Sequence, residues 1–126
     1  MNVVDSSAWL EYFADGPNAQ EFAPAIADIQ DLLVPSITLF EVFKRVMVQR
    51  DSEAALYAVG QMQRGRVVDL DADLAVAAAD LSIDLGLPLA DSVILATARA
   101  AEATLWTQDS DFEGLEGVQY RRHRKP

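Results

Sequence analysis

The sequence predicts an α/β fold with a short-stranded, mostly parallel sheet. Short apolar runs, several of them rich in valine, alternate along the chain with longer segments of helical periodicity. The connections between them are short, and the chain contains no internal repeat, low-complexity tract or linker. Alternating strands and helices with short loops are typical of parallel sheets, because each helix returns the chain to the same end of the sheet.

Five apolar runs are the predicted strands. Their β-branched and apolar character suits a sheet that is buried on both faces. In chain order they are residues 3–4, 32–34, 67–68, 104–106 and 118–120. Pro35 is expected to stop the second strand, because it has no backbone N–H to donate.

Six segments with apolar residues at helical spacing are the predicted helices. The first begins at Ser6 or Ser7, which is its expected cap, and buries Trp9 and Phe13. The others are residues 19–30, 36–49, 52–63, 72–85 and 89–101. Because the third and fourth helices are joined by a very short turn, residues 36–63 form a predicted helical hairpin.

Residues that favour helix ends bound these segments. Ser36 is the expected cap of the third helix, and Asp51 or Ser52 of the fourth. Gly86 is suited to end the fifth helix, and Pro88 lies where the sixth can begin. The element boundaries are therefore predicted from local chemistry as well as from periodicity.

Length and composition fit one domain that spans residues 1–126. A chain of this length with 51% hydrophobic residues can bury roughly two thirds of its unfolded surface around one core. Cysteine is absent, which excludes disulfides and thiolate metal sites. The N-terminal residues do not resemble a signal peptide, and no run reaches the roughly 18 apolar residues of a membrane span. We therefore expect a soluble, cytoplasmic protein.

The net charge of −10 argues against a general nucleic-acid coat protein, which needs a basic face. A metal site built from carboxylates would itself contribute negative charge, and bound cations reverse the field that a phosphate meets. The basic residues cluster in one helix and in a tail at residues 121–126. Because chain termini are usually poorly ordered, we expect this tail to be solvated and unattached.

Five acidic residues follow predicted strands or lie in predicted helices, and each has a local explanation. Asp5 alone is explained as a helix cap, and Asp91 as compensation of a helix dipole. Glu41 is explained equally well by an ion pair with the residue one turn later, Arg45, and Asp109 and Asp111 by an Asx turn. No single one of these acids indicates a function.

Their combined placement indicates more than any acid does alone. Asp5 and Asp109 each follow a strand, and the carboxyl ends of parallel strands lie at one edge of a sheet. With Glu41 and Asp91 alongside, three or four oxygen ligands could surround a hard divalent cation such as Mg²⁺ or Mn²⁺. The sequence therefore allows a metal site at this edge.

These residues resemble the PIN domain family, and within it the VapC-type toxins of bacterial toxin–antitoxin pairs. The resemblance is carried by Val3–Trp9, by Pro35–Glu41, and most specifically by Leu87–Ser92 through Thr107–Phe112. It extends from one end of the chain to the other. The fold that it implies is a three-layer α/β/α arrangement with a protruding helical hairpin.

The resemblance also implies site residues and an activity. Asp5, Glu41, Asp91 and Asp109 would be the acidic quartet that holds Mg²⁺ or Mn²⁺, with Asp111 as an accessory acid. The implied reaction is endonucleolytic cleavage of RNA by a metal-activated water, and Glu41 would hold that water or act as a base.

The same resemblance implies supporting residues and partners. Ser6 and Thr107 would be polar support for the quartet. The implied partners are an RNA substrate, a cognate antitoxin with a basic segment near the acidic cleft, and a second copy in a homodimer. An apolar patch left over from the core would mark one of these protein surfaces. The aromatic residues that could contribute are Trp9, Tyr12, Phe13, Phe40, Phe43 and Tyr57.

Two other functions are alternatives to a nuclease. A receiver-type signalling module needs an Asp after a central strand and a late Lys, whereas Asp51 falls between two helices and the only lysines are Lys44 and Lys125. The second alternative is a catalytically silent PIN-like module that only binds a protein. Because the chain keeps all four acids, we favour the nuclease.

Overall fold

The computed structural model describes residues 1–126 and contains five strands that form one parallel sheet. The strands are β1 (Asn2–Val4), β2 (Leu32–Pro35), β3 (Arg66–Val68), β4 (Thr104–Thr107) and β5 (Val118–Tyr120). Their order in the sheet is β3-β2-β1-β4-β5, and every neighbouring pair is parallel. The predicted parallel α/β class is confirmed.

Six α-helices connect these strands. They are α1 (Ser6–Phe13), α2 (Ala19–Ala27), α3 (Ser36–Gln49), α4 (Ser52–Met62), α5 (Ala72–Leu85) and α6 (Leu89–Ala100). The second helix ends three residues earlier than predicted, and a short 3₁₀ turn at Ile29–Asp31 leads into β2. A second 3₁₀ turn, Ser110–Phe112, follows β4.

The sheet is buried on both faces, which makes the fold a three-layer α/β/α sandwich. Val4 and Val34 lie in a core cluster with residues of α1 to α4. Val3, Leu33 and Leu105 lie in a second cluster with residues of α6. Because successive strand residues point to opposite faces, both valines of β1 are fully buried. This explains why the strands read as continuous apolar runs.

The strand order places a topological switch point between β1 and β4. From β1 the chain builds the sheet in one direction through β2 and β3, and later in the other direction through β4 and β5. Ligands of open α/β sheets bind at such points, beyond the carboxyl ends of the strands. The backbone N–H of Asp5 donates to the carbonyl of Trp106 (2.9 Å), so β1 and β4 stay paired up to this edge.

The helical hairpin of α3 and α4 protrudes from the sandwich. The two helices pack against each other, and every side chain from residue 47 to residue 53 is exposed. Phe40 on α3 and Leu56 on α4 are each 62% exposed, although both are large and apolar. The hairpin buries only its inner side, so these outer positions have nothing to pack against.

Local chemistry sets most helix ends as predicted, with three corrections. Asp51 and Asp71 cap α4 and α5 by accepting the N–H groups of residues 54 and 74. Asp5, not Ser6 or Ser7, is the N-cap of α1, because both serines already lie inside the helix. Pro35 is the last residue of β2 rather than a stop before it, and Ser36 makes no capping hydrogen bond.

The basic tail is attached to the body, which corrects the expectation of an unattached terminus. The Arg121 guanidinium lies 5.6 Å from the Trp106 ring centroid and pairs with Glu21 (3.4 Å). The amide of Asn18 donates to the Arg122 carbonyl (2.8 Å) and accepts from Arg124 (2.9 Å). Asn18 is buried, and a buried amide needs such partners to offset its lost hydration.

No single helix of the chain is long and apolar enough to cross a membrane. Only α5 and α6 taken together reach that length and composition, and the pair is bent by 114° at the break between them.

Candidate active site

A cavity of about 550 Å³ lies at the switch point between β1 and β4. Four of the acids that the sequence singled out line it together: Asp5, Glu41, Asp91 and Asp109. They come from the end of β1, the first half of α3, the first turn of α6 and the segment after β4. The fold thus brings together four carboxylates, the first and last of which are 104 residues apart in sequence.

Asp5, Ser7 and Thr107 form a hydrogen-bonded group that we call the buried cluster. One carboxylate oxygen of Asp5 accepts from the hydroxyls of Ser7 (2.6 Å) and Thr107 (2.9 Å). The Thr107 hydroxyl in turn accepts the backbone N–H of Asp109 (2.9 Å). Asp5 is only 3% exposed. Its orientation is therefore set by the chain itself, and Thr107 ties the ends of β1 and β4 together.

Burial raises the pKa of Asp5 above its usual value. The hydrogen bonds from Ser7 and Thr107 lower it, whereas the charges of Asp109 and Glu41 raise it further. Desolvation and like charge therefore outweigh two good donors. A nearby cation would stabilise the ionised form of this group.

Glu41 is oriented by a serine rather than by an arginine. The Ser6 hydroxyl donates to its carboxylate at 2.7 Å. The ion pair with Arg45 that could explain Glu41 locally does not form, since the only ion pair in the structure joins Arg121 to Glu21. The Glu41 carboxylate is half-buried and lines the cavity.

Asp91, Asp109 and Asp111 form a second group, which we call the acidic triad. Each offers a carboxylate oxygen, and the three oxygens lie within 4.8 Å of one another. Asp109 accepts the backbone N–H of Asp111 (2.9 Å), which is the Asx turn expected from the sequence. No donor of the chain hydrogen-bonds to the side chain of Asp91. The triad is therefore crowded with negative charge and poorly satisfied.

The pKa of Asp91 is raised to about 7, first by burial and then by the charges of Asp5, Asp109, Asp111 and Glu41. Its place in the first turn of α6 favours a negative charge, but this does not offset the surrounding carboxylates. The site therefore holds more negative charge than the chain alone can neutralise.

The donor set fits a hard divalent cation. Carboxylate oxygens are the ligands that Mg²⁺ and Mn²⁺ prefer, and a cation would relieve the repulsion that raises these pKa values. The acidic triad offers the closest set of oxygens, and Asp5 and Glu41 line the same cavity. Asp111, predicted only as an accessory acid, is part of the triad although its side chain is exposed.

Sequence reasoning missed the role of Ser7. It was expected only as a cap, yet its hydroxyl donates to Asp5 and accepts the backbone N–H of Gln108 (3.3 Å). A serine two residues after an N-cap acid is close enough for its hydroxyl to donate to that acid. This spacing in the sequence is the signal that could have revealed the role of Ser7. Of the two residues predicted to support the acids, Ser6 donates a hydrogen bond to Glu41 and Thr107 donates one to Asp5.

A separate, apolar groove of about 730 Å³ lies between α1 and the hairpin. Phe13 and Tyr57 are among its lining residues. Among the six aromatic residues that could form a leftover apolar patch, Trp9 is buried, whereas Tyr12, Phe40 and Tyr57 are exposed. The aromatic residues are thus divided between core and surface.

Comparison with known proteins agrees with this architecture. The model of the PIN domain family matches residues 3–118. A toxin–antitoxin complex from Klebsiella pneumoniae is similar in structure, with a TM-score of 0.79, 22% identity, and coverage of 94% of this chain and 96% of that chain. A sarcin-ricin loop cleaving toxin of Mycobacterium tuberculosis is also similar in structure. Its TM-score is 0.77 at 17% identity, with coverage of 92% of this chain and 95% of that chain.

A third similar structure is the VapBC2 complex of Rickettsia felis bound to a promoter DNA fragment. Its TM-score is 0.73 at 16% identity, with coverage of 96% of this chain and 97% of that chain. At these identities the similarity establishes the fold. No curated protein matches the sequence significantly.

Proposed function

The chain belongs to the PIN domain family, and from this premise we propose that it is a divalent-metal-dependent endoribonuclease, the toxin of a toxin–antitoxin pair. The observation that carries the proposal is the convergence of Asp5, Glu41, Asp91 and Asp109 on one cavity at the switch point of the sheet. Structures that share the fold include toxin–antitoxin complexes and a toxin that cleaves the sarcin-ricin loop. These similar structures support the proposal.

Each acid has a distinct role in the proposed centre. Asp91, Asp109 and Asp5 would hold the cation directly or through water, and Asp111 would be an accessory ligand on the exposed side. When bound, Mg²⁺ or Mn²⁺ would polarise the scissile phosphate, lower the pKa of a water molecule so that its hydroxide can attack phosphorus, and stabilise the leaving oxygen as its bond to phosphorus breaks. Glu41, which Ser6 orients, would position that water or accept its proton.

The buried cluster orients two of the proposed metal ligands, Asp5 and Asp109. Thr107 and Ser7 hold Asp5 in one rotamer, and Thr107 fixes the backbone of Asp109. Supporting hydrogen bonds of this kind orient metal ligands and tune their affinity. Because no serine, threonine or cysteine is needed as a nucleophile, the serines and the threonine are free to act as structural donors.

We also propose an antitoxin as the protein partner. A partner that silences the site would need a basic segment to enter the acidic cavity. The groove between α1 and the hairpin offers an apolar surface close to that cavity, and Leu10 lines both. An antitoxin could therefore anchor apolar side chains beside the hairpin and extend a basic segment across the acids.

Self-association is the second proposed protein contact. Val76 and Ile83 on α5, and Leu89 at the start of α6, are large apolar side chains that are mostly exposed. Val76 and Ile83 are seven residues apart and so share one face of α5. We assign this face to a homodimer, and we place the protein in the cytoplasm, where RNA substrates are found.

The deciding experiment is an RNA cleavage assay with the purified chain. We expect a labelled RNA to be cut at internal sites with Mg²⁺ or Mn²⁺, not to be cut in EDTA, and to be cut again when excess Mn²⁺ is restored. Cleavage at full rate in EDTA would contradict a metal-dependent mechanism. No cleavage with either ion would instead favour a catalytically silent module. The structure does not favour a receiver-type module. Asp51 does not follow a central strand but caps α4 at the exposed end of the hairpin.

A further inference from the structure

One wall of the acidic cavity is formed by a face of α3 that carries an aromatic ring and two cations. Phe40, Lys44 and Arg45 line the cavity together with the four acids. Their spacing along α3 places them beside Glu41 on the same side of the helix. Because Ser6 holds the Glu41 carboxylate toward the site, this face of α3 has a defined orientation.

The fold makes no structural use of these three side chains. Phe40 is 62% exposed and Lys44 and Arg45 are exposed, so none contributes to the core. The Lys44 ammonium lies 5.7 Å from the Phe40 ring centroid, where it can interact with the ring face. Neither cation forms an ion pair with the nearby acids, although several carboxylates line the same cavity. Both cations are therefore available to a ligand.

An exposed ring beside free cations has the chemistry of a single-strand nucleic-acid contact. Every nucleobase has a π-face that can stack on an aromatic side chain, and cations next to it can bind the phosphates that flank the base. The two cations would also attract a polyanion to the cavity mouth, where the four carboxylates would otherwise repel it. A paired base cannot offer its face in this way, so the site would select an unpaired segment.

We propose that Phe40, Lys44 and Arg45 form the substrate platform of this protein, on which Phe40 stacks an unpaired base of the RNA and Lys44 and Arg45 bind its phosphates. This inference rests on the proposed nuclease function and adds to it the residues that select and hold the substrate. The platform places the bound strand beside Asp5, Asp91 and Asp109, which line the same cavity.

The test uses a labelled single-stranded RNA oligonucleotide and the same strand annealed to its complement. Two readouts are taken for each variant: the steady-state rate of cleavage with Mn²⁺, and the binding of the RNA followed by fluorescence anisotropy. Phe40→Ala should raise KM for the single strand about tenfold and leave kcat within about threefold, because stacking acts on the ground state and the transition state alike. Phe40→Trp, which keeps a stacking surface, should restore KM.

A matched control separates this effect from a general loss of surface. Leu56 is 62% exposed, like Phe40, on the neighbouring helix α4 and lines neither the acidic cavity nor the apolar groove, so Leu56→Ala should leave KM unchanged. If Phe40→Ala behaves like Leu56→Ala while the wild type cleaves normally, the platform is wrong and the proposed function stands. If duplex RNA is bound and cleaved as well as the single strand, the platform is also wrong.

The cations are tested by salt dependence. Replacing both Lys44 and Arg45 by alanine removes two phosphate contacts, and should reduce the slope of log KM against log salt by about 1.4 for a single strand. Arg64→Ala with Arg66→Ala, two exposed cations that do not line the cavity, is the matched control. An unchanged slope in the Lys44 and Arg45 double variant would overturn their assignment.

The two readouts keep the platform and the nuclease function distinguishable. A wild-type chain that binds the single strand through Phe40 but never cuts it would support the platform and contradict the nuclease function. A wild-type chain that neither binds nor cuts RNA would contradict both. If the variants change only the binding of a synthetic basic peptide, the surface serves a protein partner and the platform is overturned.

Discussion

The buried cluster and the acidic triad lie at the same edge of the sheet but differ in how their polar groups are satisfied. In the buried cluster, one oxygen of Asp5 accepts hydrogen bonds from Ser7 and Thr107. In the acidic triad, the oxygens of Asp91, Asp109 and Asp111 crowd within 4.8 Å, and the only donor to them is a backbone N–H. One group is satisfied by the chain, whereas the other has little within the chain to offset its negative charge.

The pKa shifts express the same contrast. Burial is the first cause of the raised pKa at both Asp5 and Asp91, but only Asp5 has hydrogen bonds that oppose it. At Asp91, every other contribution also raises the pKa, and each comes from the charge of another carboxylate. In the proposed centre, the buried cluster would therefore fix the positions of the ligands, and the acidic triad would provide most of the affinity for the cation. Substitutions should therefore separate stability from metal binding, with the largest effects on binding in the triad.

The largest effect is expected from Asp91→Asn. It removes one ligand charge, and a metal ion contributes several kcal/mol to such a reaction, so RNA cleavage should fall at least about a thousandfold. The fold should persist, and the metal-free variant should be at least as stable as the wild type at neutral pH, because a crowded carboxylate has been removed. Cleavage rates and circular dichroism check both statements. Asp84→Asn, an exposed acid on α5, is the control, and a variant that kept a tenth of the activity would exclude Asp91 from the centre.

Thr107→Val tests the buried cluster with a side chain of nearly the same shape. It removes the donor to Asp5 and the acceptor for the Asp109 N–H. We expect the free energy of unfolding to fall by about 1–3 kcal/mol, and Mn²⁺ affinity to fall about 10- to 100-fold. Denaturant unfolding and calorimetric titration measure the two quantities.

Thr107→Ser is the matched control for that substitution, because it keeps the hydroxyl. It should retain most of the Mn²⁺ affinity. Equal affinities for the valine and serine variants would show that the hydroxyl does not position the ligands.

The pH dependence of stability provides the third test. Asp91 has a pKa of about 7 in the folded chain against an ordinary value of 3.8. The folded state therefore binds the proton more tightly, so the stability from this group is present below the lower pKa and lost as the pH rises through about 7. Asp5 acts in the same direction.

The Tm of the metal-free protein should accordingly fall between about pH 5 and about pH 8. Mn²⁺ should restore it at the higher pH, and Asp91→Asn should flatten the decline. A decline of the same size in Asp91→Asn would assign it to other carboxylates.

The smallest effect is expected from Asp111→Asn, at the exposed side of the triad. Its carboxylate hydrogen-bonds to nothing in the chain, so the free energy of unfolding should change by less than about 0.5 kcal/mol. Mn²⁺ affinity should fall by less than about tenfold, compared with Asp80→Asn as an exposed control. An affinity equal to that of the control would remove Asp111 from the site, and a loss as large as that of Asp91→Asn would make it a principal ligand.

Secondary structure could be predicted closely because its signals are local. The predicted bounds of α5 and β5 match the structure, and Asp51 and Gly86 occupy the helix ends assigned to them. The predictions of burial and of the free tail were wrong, because contacts between residues far apart in the chain decide both. Phe40 and Leu56 are apolar residues of predicted helices, yet the hairpin offers them no second layer and both are exposed. The tail at residues 121–124 is attached by contacts of Arg121 with Trp106 and Glu21, and by hydrogen bonds of Arg122 and Arg124 with the buried amide of Asn18.

The alternation of strands and helices, the parallel sheet, and the acids that follow the strands could all be predicted from the sequence, because periodicity, caps and strand ends are properties of neighbouring residues. The three-dimensional fold was needed to find that Asp5 is buried and held by Thr107, that Asp111 joins Asp91 and Asp109, and that Glu41 bonds to Ser6 rather than to Arg45. Burial, hydrogen-bond partners and like-charge crowding depend on distances across the sheet, and residues far apart in the chain set those distances.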